Sequence, residues 1–413
     1  MSNSGKIDSD GATGLAQPRI AAPRRGLSQK LAYGLRVGPS YVWQRLTRRL
    51  PTGKVHLIFA LADHFEPAIV PGDGQARAPY DEQERRLERW CREYPKAIEP
   101  WRDSDGRPLA HTYFYPAEQY DRGHLERLAD HCHAGWGEVE VHLHHGIPFA
   151  DTPLNLRAAL IGFRDTLAFE HGCLSFAEGA PGPRFAFVHG NFALANSAAG
   201  FGCGVDEELQ VLAEAGCYAD LTFPTNPFHP SQRAKINSLY ECGAPLTERA
   251  AYRSGRDLAS GRAAEKFPLI IQGPLLPSFS GVRRLRIENG SFTGATPPTL
   301  GRLQLWKQAM ISVEGKPDWL FLKLHCHSMD PTQEEAVLGA SFRNFLQSMV
   351  EGANRRGEIL HFVSAREMVN VILAACDGRE GNPGAYRDYR FKPWRNSASS
   401  VTAGSTSQTV GKR

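Results

Sequence analysis

The sequence predicts an α/β protein, built as a TIM-like (β/α) barrel of seven or eight units in a single domain. Apolar segments of strand length alternate with amphipathic helical segments, which is typical of a parallel sheet. Seven or eight such units in roughly 320 residues favour a closed barrel over an open sheet. A chain of 413 residues, 41% of them hydrophobic, is long enough to bury a core of this size.

The strands and helices are predicted from the periodicity of apolar residues and from the turn-forming residues that interrupt it. Strands are predicted near residues 54–62, 110–115, 137–145, 184–189, 218–223, 268–272, 318–326 and 359–364. Helices are predicted over 80–98, 118–134, 155–173, 205–215, 302–313, 333–352 and 365–376. The segment 225–300 interrupts the alternation, and the residues from Arg283 to Gly290 predict a hairpin insertion.

The two ends of the chain differ in composition from the predicted barrel, which covers 51–378. Residues 1–50 form a basic N-terminal extension, disordered over about its first 30 residues. Its part from Leu31 to Leu50 is basic and partly amphipathic. It is either a helix packed on its own domain or a peripheral contact with an anionic membrane. Residues 379–413 are rich in small and polar residues and predict a flexible tail.

Composition excludes several classes of protein. The formal net charge is +4 and no long basic run is present, so nucleic acid is not expected as a partner. The apolar runs are shorter than the roughly 20 residues of a membrane helix, and no signal-peptide core is visible. The eight cysteines form no CxxC pair, which indicates reduced thiols. A soluble, cytoplasmic protein is expected.

Ionisable side chains gather where the predicted strands end, and seven of the 15 histidines lie there. In strand order these polar residues are Asp63, His64, His142, His144, His145, His189, Asn191, Asp220, Gln272, His325 and His327. The carboxyl ends of parallel strands share one face of a barrel, and active sites lie on that face. We therefore expect these side chains to meet around one site.

Imidazoles combined with a carboxylate suit Zn²⁺, with Co²⁺, Mn²⁺ or Ni²⁺ as other candidates. His142 and His145 are the predicted ligand pair, and His144 is either a further ligand or a hydrogen-bond donor behind one. Water activated by the ion would attack a carbonyl. Asp63 is the predicted proton acceptor, and His325 the imidazole that returns the proton.

The remaining polar residues receive supporting roles. Asp220 is predicted to orient the catalytic groups. His189, Asn191, Gln272 and His327 are predicted to bind the substrate. Glu66 is interpreted as a loop carboxylate before Pro67.

Five motifs in this order resemble those of the NodB-like polysaccharide deacetylases, in the glycoside hydrolase/deacetylase superfamily, over roughly 54–376. They are Ala62-Asp63-His64-Phe65, Glu138 to His142 with His145, Phe187 to Asn191, Asp220, and Leu322 to His325. The resemblance implies a distorted barrel with Asp63 as base, His142 and His145 as metal ligands and His325 as acid. His64 takes the place of the family's metal-binding Asp, and the two histidines are three rather than four apart. The chain thus resembles a divergent branch.

The expected function is therefore metal-dependent deacetylation of an N- or O-acetylated sugar or polysaccharide precursor. On this hypothesis Asp63→Asn abolishes turnover but spares the metal, whereas His142→Ala removes both. Two alternatives remain open. One is an amidohydrolase or phosphoesterase that uses the His-x-His pairs 142/144 and 325/327. The other is a degenerate barrel that binds carbohydrate or protein without turnover.

Overall fold

The computed structural model describes residues 27–49, 51–74, 76–225, 229–233, 235–280 and 284–394 of the chain. The helices are α1 (Leu27–Thr47), α2 (Tyr80–Ile98), α3 (Arg122–His131), α4 (Pro153–Asp165), α5 (Glu208–Ala215), α6 (Leu300–Lys307), α7 (Glu334–Val337), α8 (Ala340–Gly352) and α9 (Ala365–Cys376). The strands are β1 (Val55–His64), β2 (His111–Pro116), β3 (Gly137–Leu143), β4 (Ser175–Ala177), β5 (Phe185–His189), β6 (Cys217–Asp220), β7 (Leu239–Cys242), β8 (Gly255–Asp257), β9 (Leu269–Ile271), β10 (Leu276–Ser280), β11 (Arg284–Glu288), β12 (Trp319–Cys326), β13 (Glu358–Phe362) and β14 (Phe391–Pro393).

A large, mostly parallel sheet organises this mixed α/β fold, and all eight predicted strands belong to it. Its ten strands run in the order β12-β1-β2-β3-β5-β6-β9-β7-β8, with β13 beside the first half of β1. The pairs that β7 makes with β8 and β9 are antiparallel. The predicted insertion is the hairpin β10/β11, which forms a separate sheet.

The strands are apolar on both faces because each face packs against helices. On β1, Leu57 and Phe59 pack in the cluster that includes α2 and α8, whereas Ile58 and Ala60 pack in the cluster that includes α9. Alternate residues of a strand point to opposite faces, so a strand covered on both sides needs a nearly continuous apolar run. This explains why the strands were visible in the sequence.

Helix α9 packs on the face of the sheet opposite α2 and α8, and all twelve of its residues are buried. Its first turn is closed by a capping box, in which the Ser364 side chain accepts from the Glu367 N–H and the Glu367 side chain accepts from the Ser364 N–H. Met368 and Ile372 of this helix pack in one cluster with Ile58 and Phe321 of the strands. Helix α9 therefore packs against several strands on one face of the sheet.

The two halves of the sheet approach one another without a shared ladder. The buried Lys323 of β12 donates a hydrogen bond of 2.7 Å from Nζ to the carbonyl oxygen of Leu221, just after β6. A side chain at Gly273, after β9, would lie 2.3 Å from the Lys323 carbonyl oxygen, so the backbones are in direct contact. In the described part of the chain no ladder joins β9 to β12, so closure into a barrel stays a prediction.

Helix α1 packs on the domain along one side only. Val37 is buried against Ile236 and Leu275, and Gln44 donates to the Ile236 carbonyl oxygen at 2.7 Å. The opposite side exposes Leu35, Val42, Trp43 and Leu46. The segment is thus a helix that packs on its own domain along one side. Contact of its exposed side with an anionic membrane stays a prediction. Of the helices that are described, none has the length and apolar character of a membrane span.

The packed domain extends past the predicted boundary at 378. Arg387 pairs with Asp103 and Asp105 at 2.8 Å each, and β14 pairs with β4. The prediction of a flexible tail is therefore wrong for 379–394, because Phe391 packs in the hydrophobic cluster that includes α9. The N-terminal boundary shifts likewise, since 27–47 are helical. The predictions for 1–26 and 395–413 lie outside the described residues.

Candidate metal-dependent active site

Five side chains meet at the carboxyl edge of the sheet and are called here the histidine cluster. They are His64, Glu66, His142, His144 and His327. They come from β1 and the residues after it, from β3 and the residue after it, and from the turn after β12. The structure therefore brings together residues that are far apart in the chain, at the edge where parallel strands end.

Glu66 lies at the centre of the histidine cluster. Its Oε1 atom is 3.4 Å from Nε2 of His142 and 4.0 Å from Nε2 of His327, and its Oε2 atom is 3.9 Å from Nε2 of His144. Beyond β1 the Phe65 N–H bonds to the Phe114 carbonyl oxygen, and the Glu66 N–H turns back to the His64 carbonyl oxygen at 3.1 Å. Glu66 and His64 nevertheless reach one group of ligand atoms, together with His327. The interpretation of Glu66 as a mere loop carboxylate is wrong.

His142 and His144 are held in the tautomer that a metal ion requires. Nδ1 of His142 donates to the Val188 carbonyl oxygen at 2.8 Å, and Nδ1 of His144 donates to Oε1 of Glu118 at 2.7 Å. Each ring therefore turns its Nε2 toward Glu66. Nε2 of His142 is completely buried and has no hydrogen-bond partner. Such an orphaned acceptor, backed by a hydrogen-bonded Nδ1, is the arrangement of a metal ligand.

The charges in the histidine cluster also suit a cation. Burial opposes ionisation of Glu66, but the neighbouring imidazoles of His142, His144 and His327 lower its pKa to about 2. Burial and the neighbouring imidazoles hold the pKa of His64 well below its usual value. At neutral pH the site thus offers one carboxylate and a neutral His64 imidazole, both of which are metal ligands.

Glu118 is a residue that the sequence did not single out. It lies in the short turn after β2, and its second oxygen accepts the His144 backbone N–H at 3.2 Å. We expect Glu118→Gln to weaken metal binding by about 10- to 100-fold. The uncharged amide is a weaker acceptor for the Nδ1–H of His144 than the carboxylate, so the ring is oriented less firmly. Isothermal titration with Zn²⁺ measures this change. Glu93→Gln, on the exposed surface of α2, is the matched control, and unchanged affinity in Glu118→Gln would contradict the role.

Asp63 does not belong to the histidine cluster. It faces the side of β1 that packs against α2 and α8, where its carboxylate accepts from His111 Nε2 at 2.9 Å, from the Ser328 N–H at 2.8 Å and from the Ser328 hydroxyl. His64 occupies the opposite face because successive strand residues alternate. The position of Asp63 therefore does not support its predicted role as the catalytic base. It is a positioning residue that anchors the turn carrying His327.

His325 and Asp220 lie near the site in different ways. The ring centre of His325 is 6.4 Å from that of His64, so it borders the histidine cluster, and its role as acid stays a prediction. Asp220 is fully buried and accepts the Thr222 hydroxyl at 2.8 Å, while Thr222 Oγ1 accepts the His189 N–H. Burial raises the Asp220 pKa to about 7. Asp220 can orient His189, but its contacts are not with the histidine cluster.

His145 and His189 form a second group, together with Cys203 and Glu208. The prediction that His145 and His142 share one ion is therefore wrong. His145 follows His144 directly and turns to the other side, where its Nε2 lies 3.1 Å from Nε2 of His189. The predicted role of His189 in substrate binding is also wrong, because its ring is fully buried in this group.

Of the residues predicted to bind the substrate, some lie at the cleft beside the histidine cluster and others do not. A cleft of about 230 Å³ opens beside the histidine cluster, lined by Glu66, Glu118, His144 and Asn191 among others. His327 belongs to the cluster itself and is one-quarter exposed. Gln272 does not line this cleft, and its amide bonds to the Ser238 N–H and the Lys235 carbonyl oxygen. Its predicted role is therefore not supported by its position.

No family model, curated protein or solved structure gives a significant match to this chain. The geometry of the site therefore carries the functional argument. The spacing His64-x-Glu66 was the sequence signal for the central carboxylate, since it repeats the alternation of His142-x-His144. No comparable local signal marked Glu118, which reaches His144 from another strand.

Proposed function

We propose that this chain is a metal-dependent hydrolase whose catalytic ion binds between Glu66, His142 and His144. The observation that carries the proposal is the unpartnered, buried Nε2 of His142, directed at a carboxylate that a second fixed imidazole also faces. Two histidines and one glutamate leave a coordination position open, which is the pattern of catalytic zinc sites.

A divalent ion at such a site supplies Lewis acidity and activates water for attack on a carbonyl. The chain itself then has two tasks. Glu118 and Val188 keep the two ligand rings oriented through their Nδ1 atoms. His327, which is more exposed than His142, can hold a proton at the rim and return it to a leaving group.

The substrate class that we propose is an N- or O-acetylated sugar or polysaccharide precursor, with cleavage of a non-peptide C–N bond or an ester bond. It rests on the resemblance to the NodB-like deacetylases, together with the parallel sheet and its histidines at the strand ends. A distorted, closed barrel is part of this proposal. The contacts of Lys323 with Leu221 and Gly273 support it.

A second candidate is a two-metal hydrolase of the amidohydrolase or phosphoesterase kind. Glu66 belongs to two ligand groups at once, one with His142 and His144 and the other with His64 and His327. A carboxylate shared in this way is suited to bridge two ions. The third alternative, a barrel that binds without turnover, predicts the same metal binding but no product.

The test uses the full chain, stripped of metal and reloaded with Zn²⁺, Co²⁺ or Mn²⁺. Acetate release is measured from N-acetylated and O-acetylated oligosaccharides, with phosphodiesters as the rival substrates. We expect acetate release that needs the ion and is lost in Glu66→Gln, while Glu93→Gln stays active. Phosphodiester cleavage without acetate release would favour the two-metal candidate. Metal bound with neither product would favour a binding protein.

A further inference from the structure

A second group of ligand-type side chains lies apart from the proposed catalytic ion. It contains His145 after β3, His189 at the end of β5, Cys203, and Glu208 at the start of α5. We call it the His₂CysGlu group. All four residues are buried, and Cys203, His189 and Glu208 have no exposed surface. Nothing in the proposed catalysis uses them.

The spacing of the four ligand atoms matches a tetrahedral site. Nε2 of His145 is 3.1 Å from Oε1 of Glu208 and 3.1 Å from Nε2 of His189, and the latter is 3.6 Å from the same oxygen. The Cys203 sulfur is 3.3 Å from Oε2 of Glu208. Bonds of about 2.0–2.3 Å to one zinc ion place tetrahedral ligands about 3.3–3.8 Å apart. The shortest of these separations lie slightly below that range, so the side chains need only a small outward shift around a central ion.

Hydrogen bonds within the His₂CysGlu group cannot satisfy all of its polar atoms at once. Nε2 of His145 faces both Glu208 and His189 at the same distance, and one N–H cannot point at both. The ion pairs of Glu208 in the described chain are with these two histidines. A divalent cation between the four atoms would satisfy all of them and balance the buried carboxylate.

Each of three ligands has a partner that holds it. Nδ1 of His145 donates to Oδ2 of Asp151 at 2.9 Å, which leaves its Nε2 for the group. The Val205 N–H donates to the Cys203 sulfur at 3.5 Å, as at metal-bound thiolates. The Ala195 N–H donates to Oε2 of Glu208 at 2.6 Å. His189 differs from these three ligands, because its Nδ1 now accepts the Asn191 N–H at 3.2 Å. Coordination through Nε2 would move the ring proton to Nδ1 and break this hydrogen bond.

Backbone contacts hold Cys203 next to the segment that follows β3. Gly146 adopts a φ of +72°, and a side chain there would lie 2.2 Å from the Cys203 carbonyl oxygen. The Gly202 N–H bonds to the Gly146 carbonyl oxygen, and the Asp151 N–H bonds to that of Cys203. The loop 190–207 is thus tied to the segment after β3 at the position of the ligands.

We propose that His145, His189, Cys203 and Glu208 bind a second divalent ion, of the zinc type, in a closed structural site. Its four protein ligands leave no position for substrate, which distinguishes it from the site at Glu66. The ion would fix the loop 190–207, whose Asn191 lines the cleft. Two nitrogens, one sulfur and one oxygen suit zinc better than the hard cations Mg²⁺ and Ca²⁺.

The test is cobalt substitution of the full chain, read by absorption and by metal content. We expect two ions per chain and a thiolate-to-cobalt charge-transfer band from Cys203. Cys326 lies with Asp63 and His111 in another described group of ligand-type side chains, so Cys326→Ser is a further control and should keep the band. Cys203→Ser should lose the band, one ion and part of the thermal stability, whereas Cys217→Ser, which replaces a buried cysteine of β6, should keep both ions and the band. His142→Ala should lose one ion but retain the band.

Absence of the band in the cobalt-loaded wild-type chain would overturn this inference, even if Cys203→Ser failed to fold. So would a band that survives in Cys203→Ser. Failure of the proposed function has a different signature, since the band would be present while no acetate, phosphate or other product is released.

Discussion

His142→Ala is expected to remove the ion of the proposed active site and to reduce hydrolysis to background. His142 supplies a buried Nε2 that has no hydrogen-bond partner and lies 3.4 Å from Oε1 of Glu66. An alanine leaves His144 and Glu66 as two ligands of one ion, too few to hold it as catalytic sites do. Metal content and acetate release from the purified chain measure the two effects.

His131→Ala is the matched control for this variant. His131 is a buried imidazole of α3 that bonds to the Tyr113 hydroxyl, and it is not part of the histidine cluster. Its loss creates a similar cavity, so it should lower stability while retaining the ion. Full metal content in His142→Ala would contradict the assigned ligand set.

Asp63→Asn is expected to reduce the free energy of unfolding by about 2–3 kcal/mol, because hydrogen bonds to a buried charged acceptor are weakened or lost. The carboxylate accepts three bonds from His111 and Ser328, and an amide cannot accept all of them. Hydrolysis should fall by no more than about tenfold, since Asp63 acts through the turn that carries His327. Urea unfolding and kcat/KM at saturating metal separate the two effects.

Asp63→Ala tests the same point more severely, because it removes every acceptor and leaves Ser328 unpaired. It should be less stable than Asp63→Asn, with a similar metal content in the folded fraction. A fully folded, metal-loaded Asp63→Asn protein without turnover would instead restore Asp63 as the catalytic base. The sequence by itself led to that expectation, and the face on which Asp63 lies is the reason for revising it.

The two predicted ligands His142 and His145 show how far local patterns reach. His142 lies, as expected, in a group at the strand ends that could hold a metal ion, and the apolar pattern of β3 sets the alternation that directs it there. His145 lies beyond the end of β3 at Leu143, where alternation no longer applies. Its direction depends on Gly146 and on the loop that brings Cys203 against it. The sequence does not encode that contact locally.

Apolar runs and their periodicity determined the order and position of the strands, the helices between them and the gathering of histidines at one edge. These features depend on neighbours in the chain, so they can be inferred from the sequence alone. Only the tertiary structure decided that Glu66 rather than Asp63 joins the histidines, that Glu118 contacts His144, and that α9 packs on one face of the sheet. Each depends on contacts between segments distant in sequence, where a single change of strand face moves a carboxylate from one environment to the other.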